Sequence, residues 1–135
     1  MIKNIINLGD AAIYCDFGSE VNKELNSKVI KYFRTLKQKN INGITNLAPS
    51  YNKLIITFDL EIINYEELRD KILSLKLDEF NEIVSKKINV PVCLDEEFAL
   101  DIIQVSEKTS LNFEDIYKNI LNIDFYCYMT GFIAG

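Results

Sequence analysis

Ile44-Thr45-Asn46-Leu47-Ala48-Pro49-Ser50-Tyr51-Asn52-Lys53-Leu54-Ile55-Ile56-Thr57-Phe58 reads as a β-hairpin. Ile44–Ala48 and Leu54–Phe58 are short strand-like runs, and Pro49-Ser50-Tyr51-Asn52 between them has the composition of a turn. Asn42-Gly43, a turn signal, joins the hairpin to a preceding helix that runs from about Asn22, an N-cap residue, to about Lys39. Val21, Leu25, Val29, Phe33 and Leu36 fall on one face of that helix at spacings of four and three, with Ile30 widening it. Upstream again, Leu8-Gly9-Asp10 is a turn and Ala11–Phe17 a strand, with Ile13, Cys15 and Phe17 on one face and Tyr14 and Asp16 on the other. Downstream, Asn64 with Glu67 three residues later opens a second helix with Tyr65, Leu68, Ile72 and Leu75 on one side. The extended segment Glu82–Cys93 contains Pro91, which suits a strand end or a sheet edge.

The order is therefore β-α-β-β-α-β, an α+β ferredoxin-like arrangement: an antiparallel sheet with both helices on one face, assigned to a domain over residues 1–86. That fold hosts many functions and names none. Past Pro91 the character changes. Helices over Ala99–Lys108 and Phe113–Ile120, the latter capped by Asn112 and Asp115, and a strand over Asp124–Met129 are too little for a core of their own. They read as the opening of a second domain, residues 87–135, that is cut off.

Composition excludes several classes. Of the 135 residues, 48% are hydrophobic and 26% charged, as in ordinary soluble domains, and the net charge is −5. The basic residues form no phosphate-tracking stripe, so a nucleic-acid partner is not expected. The uncharged C-terminal run, Phe125–Gly135, is too short for a bilayer, and the N-terminus lacks signal-peptide features. A cytoplasmic protein without a membrane partner is expected.

The chain has no histidine. Ser-His-Asp triads, Cys-His pairs and a histidine base are therefore out of reach, and no catalytic residue can be named. Cys15, Cys93 and Cys127 are too dispersed for a zinc site, and each, set among apolar neighbours, reads as a buried free thiol. Asp95-Glu96-Glu97 reads as a solvated run, so no metal is expected. No Gly-x-x-x-x-Gly-Lys loop occurs, so this chain alone is expected to bind no cofactor.

Five residues are candidates for binding. Asp101 is either a polar site residue or a helix cap. Tyr128 shares a strand face with Tyr126, either at a binding surface or half-buried with its hydroxyl in water. Gly131, Phe132 and Gly135 belong to a tail that either lines a ligand groove or forms a tight turn. An exposed Phe132-Ile133 would seek a partner, so a homodimer or a mobile tail is expected.

Motifs in four stretches, in order, carry a family resemblance. Leu8-Gly9-Asp10-Ala11-Ala12-Ile13 with Asp16-Phe17-Gly18, then Pro49–Asp59, then Val90-Pro91-Val92-Cys93 with Asp101-Ile102, then Tyr128-Met129-Thr130-Gly131-Phe132-Ile133-Ala134-Gly135, resemble the family of KipI and the 5-oxoprolinase B subunit, also called allophanate hydrolase subunit 1. Two departures stand out: Ala134 replaces a usual proline, and no histidine occurs near Asn119–Ile120, so a site built on that histidine cannot be carried over. The resemblance implies a cyclophilin-like β-barrel of which this chain holds the start. It implies one of two roles. One is a component of an ATP-dependent 5-oxoprolinase, working with the A and C subunits and inactive alone, with any ATP bound mainly elsewhere in the complex. The other is a KipI-type inhibitor that binds a sensor histidine kinase. Allophanate hydrolysis ranks below both.

Overall fold

Alternating apolar residues in the second strand set the inner face of a four-stranded antiparallel sheet. A computed structural model describes residues 2–77, 86–95 and 97–131. Its elements are β1 (Asn4–Asn7), β2 (Ala12–Asp16), α1 (Lys23–Lys39), β3 (Ile44–Pro49), β4 (Lys53–Phe58), α2 (Tyr65–Leu73), α3 (Ile102–Thr109) and α4 (Phe113–Asn122). The architecture is α+β, and the strand order is β1-β2-β4-β3. Ile13 sits opposite Ile56 and Cys15 opposite Leu54 across β2 and β4, while Leu47 faces Ile56 across β3 and β4.

The expected sequence of elements from β2 through α2 is present, and α1, α2 and α4 each start where a capping residue places them. Asn22, Asn64 and Asn112 each accept from a backbone N–H three residues on, at 2.8–2.9 Å. The core under the sheet is built from Ile13, Cys15 and Phe17 of the β2 arm, Leu54, Ile56 and Phe58 of β4, Val29 and Leu36 of α1, and Leu68 and Ile72 of α2. Burying such side chains fully contributes about 1.5–3 kcal/mol each before entropy is counted.

Several expectations need correction. The strand read over Glu82–Cys93 is not seen: residues 82–85 lie outside the described residues, and 86–93 form no ladder. The sheet edge beside β2 is instead taken by β1, pairing Ile5 with Cys15 and Asn7 with Ile13. A tight turn lets the chain double back there: Leu8 N–H donates to the Ala12 carbonyl at 2.9 Å, and Gly9 has φ +66°, a left-handed conformation that glycine adopts without penalty. The strand read over Asp124–Met129 likewise forms no ladder.

The buried line of α1 is also rotated from the expected stripe. Asn26, Val29, Tyr32, Thr35 and Leu36 are buried, whereas Val21 precedes the helix and is exposed. Tyr32 turns inward because Phe17 offers its ring an edge-on partner at 5.2 Å.

The chain divides into two compact units, Met1–Val84 with Cys127–Gly135, and Ser85–Tyr126. In the second unit α3 and α4 touch each other, and Ile116 alone is buried among its described residues. Cys93 in that unit, and Cys127 in the first, are exposed, against the expectation of buried thiols; their segments lack a ladder that would hold them in a packed layer. Among the described residues, no helix is long and apolar enough to cross a membrane.

Candidate functional site

Three stretches that read as separate motifs meet in the first unit: Asp16-Phe17-Gly18 after β2, Pro49–Lys53 in the β3–β4 turn, and Tyr128-Met129 near the C-terminus. The turn supplies the side chains that hold the loop after β2. Asn52, buried, donates through Nδ2 to the carbonyls of Gly18 and Glu20, both at 2.9 Å, while its own carbonyl accepts from Phe17 N–H at 3.1 Å. Lys53 stands directly across the ladder from Asp16, donates to its carboxylate, and reaches the Gly18 carbonyl at 2.6 Å. Asp16 also accepts from Gly18 N–H at 2.8 Å.

Electrostatics follow from this geometry. The Lys53 hydrogen bond, the largest cause, together with the Gly18 N–H and the lysine charge, holds the Asp16 carboxyl below its ordinary value against a smaller opposing effect of burial. Burial pushes the neighbouring Cys15 thiol up to about 12, so it stays protonated at neutral pH and is no nucleophile.

Asn26 ties the C-terminal stretch to the same place. It lies on the inward face of α1, 1% exposed, and its Nδ2 donates to the carbonyls of Ser50 at 3.2 Å, Tyr51 at 2.9 Å and Tyr128 at 3.0 Å. Two amide hydrogens serve three acceptors, so one is shared. Around it, Ser50 Oγ donates to Met129 Sδ at 3.4 Å, and the rings of Tyr51 and Tyr128 stack at 5.8 Å. The result is a clasp of backbone carbonyls held by buried amide groups, with a stacked tyrosine pair beside it. Tyr51 is exposed and Tyr128 half-buried, so the pair presents an aromatic surface with polar tips. Such a site can hold a segment or a partner in register. Its amides and its lysine are committed to structural bonds.

The candidates read from sequence are placed differently from one another. Tyr128 is part of the clasp. Gly131, three residues on, is exposed with φ +89°, and no atom crowds the position a Cβ would take. Asp101 belongs to the second unit, at the N-cap position of α3 with no side-chain capping bond, while its backbone carbonyl accepts from Val105 N–H. Phe132 and Gly135 lie outside the described residues. Of the acidic run, Asp95 and Glu97 are exposed and Glu96 is outside the described residues.

Sequence reading missed Asn26, Asn52 and Lys53 as site residues. Asn26 had one available signal: it continues the line Val29, Phe33, Leu36 toward the helix start, and an amide on an apolar stripe must be met by buried partners.

A carboxyltransferase domain family, described as subdomain C and D, matches residues 3–135, and the chain belongs to it. The chain is 25% identical over 144 residues to the 5-oxoprolinase B subunit of Bacillus subtilis (strain 168), covering 97% of this chain and 60% of that protein. The resemblance to the family of the 5-oxoprolinase B subunit read from the motifs is thereby borne out. Among solved structures, the conserved uncharacterized protein PH0987 from Pyrococcus horikoshii is similar at 27% identity and a TM-score of 0.53, over 85% of this chain and 53% of that one. TTHA0988 is similar in fold, with a TM-score of 0.65 at 22% identity over 78% of this chain and 20% of that one. The chain thus spans 60% of the length of its curated relative.

Proposed function

We propose that this chain acts as the B-type component of an ATP-dependent 5-oxoprolinase complex, which opens 5-oxoproline to glutamate, and that it has no activity alone. The observation that carries this reading is the alignment to the 5-oxoprolinase B subunit along 97% of the chain. The clasp supports a role in assembly over a role in chemistry, because its donors are spent on carbonyls and the Cys15 thiol is protonated at neutral pH. In this reading the A and C subunits are the partners, ATP is bound mainly outside this chain, and the complex is cytoplasmic.

The finer fold reading goes with it. Residues 1–86 are a variant of the ferredoxin-like plan in which an N-terminal strand takes one edge, and residues 87–135 open a cyclophilin-like barrel. Tyr128, stacked on Tyr51, is the strongest of the binding candidates; Gly131, Phe132 and Gly135 would extend that surface, and Asp101 would serve the second unit.

Co-expression with the A and C subunits, followed by an assay of ATP-dependent glutamate formation from 5-oxoproline, tests the proposal. Activity that needs all three chains supports it. Activity of this chain alone, or full activity without it, overturns it. Inhibition of a sensor histidine kinase by the purified chain, with no effect on glutamate formation, would favour the KipI-type role instead.

A further inference from the structure

Two adjoining grooves at the C-terminal end of α1 share Ile41 and combine an apolar floor with a basic rim. The first, of about 300 Å³, is lined by Phe33, Leu36, Lys37, Asn40, Ile41 and the residues of β3 from Ile44 to Leu47. The second, of about 510 Å³, is lined by Lys39, Ile41, Lys71, Ser74, Leu75 and Lys76. Among the described residues, four lysines line the pair and no carboxylate does, in a chain with 20 acidic residues against 15 basic. α1 itself carries six basic residues and one acid.

Lysines in the last turn of a helix answer the helix dipole, which accounts for Lys37, Lys39 and Lys71. It does not account for Lys76, which lies beyond α2. Nor does it explain why the described acids are kept off both grooves. All four lysines are exposed, while Phe33, Ile41, Ile44, Leu47 and Leu75 of the floor are half-buried. Lys37 Nζ lies 5.8 Å from the Phe33 ring centre, so its charge sits at the apolar floor.

We infer that this surface docks an acidic segment of another protein that carries apolar anchors, with leucine- or isoleucine-like side chains in the grooves and carboxylates against the lysine rim. Apolar floor and charged rim divide the work as interfaces commonly do: the floor contributes affinity, and the rim contributes orientation and encounter rate. The inference is independent of the proposed 5-oxoprolinase role and concerns a surface separate from the clasp.

Fluorescence anisotropy with the full chain and a labelled leucine–glutamate repeat peptide tests it, with polyglutamate and a leucine–lysine repeat as controls. The leucine–glutamate peptide is expected to bind, shifting amide resonances within 33–47 and 71–76, and the controls are expected to bind at least about tenfold more weakly. The K39E/K71E/K76E variant should weaken binding roughly tenfold or more at about 50 mM salt, with a smaller difference at high salt. K76E alone serves if the triple variant melts early. Equal binding of polyglutamate, unchanged binding by the variants, or resonance shifts elsewhere would overturn the inference. So would self-association, seen by sedimentation, that the same substitutions abolish, since the occupant would then be a second copy.

Discussion

Replacing Asn26 by leucine removes the clasp's central donor while keeping the branching and heavy-atom count of the side chain. Three carbonyls lose a partner held at 2.9–3.2 Å, but two hydrogens make the equivalent of two full bonds. A buried polar group left unsatisfied costs about 1–3 kcal/mol. Leucine recovers part of this through apolar burial, so the expected net loss is about 2–4 kcal/mol. Urea unfolding of the full chain reads the global loss. Hydrogen exchange separates the local effect: amides in 127–130 should exchange roughly tenfold or more faster at denaturant concentrations too low to open β2 and β4. Asn26→Asp adds a pH signature. A carboxylate facing three carbonyls is disfavoured, so its folded pKa is raised above the unfolded value. The folded state then binds the proton more tightly, and the stability it lends at low pH is lost as pH rises through the folded value. A loss below about 0.5 kcal/mol in the leucine variant, or faster exchange in the sheet with none at 127–130, would refute the assignment of Asn26 as the residue that holds the C-terminal stretch.

Three further outcomes are expected. Asp16 has a folded pKa held below its ordinary value, chiefly by the Lys53 hydrogen bond, so its contribution is present above the ordinary carboxylate range and fades as pH falls toward the folded value. The wild-type advantage over Asp16→Asn in thermal melts should shrink across that acidic window; a constant advantage would contradict the ion pair's role. Gly43→Ala should cost about 2–4 kcal/mol by urea unfolding, because φ is +95° and the new Cβ would lie 2.5 Å from Cγ2 of buried Ile63. Iodoacetamide at about pH 8 should label Cys93 and Cys127 in the folded chain, while Cys15 reacts only on unfolding, as mass spectrometry of labelled peptides would report.

Much of the fold was legible where its signals are local. Asn22, Asn64 and Asn112 read as helix caps, and each accepts the expected N–H, since capping involves atoms three residues apart. Alternation in 13, 15 and 17 named the inner face of β2 because a strand's period is two. β1 was missed for a non-local reason. Asn4-Ile5-Ile6-Asn7 has no alternation and gains its place by pairing with β2 through the Gly9 turn, a choice decided by an open edge and not by its own residues. Asp124–Met129 shows the converse: its composition suits a strand, but it has no ladder partner among the described residues.

The sequence by itself determined the element order from β2 to α2, the starts of α1, α2 and α4, the family and the want of a histidine-based mechanism. Each of these depends on residue identity or on contacts within a few positions. Only the tertiary structure decided that the Asp16, Pro49 and Tyr128 motifs form one site, that Asn26 faces inward, and that four lysines share one apolar floor. Those facts rest on contacts such as Asn26 to Tyr128, 102 positions apart, and no pattern of short period encodes which distant carbonyl a buried amide will meet.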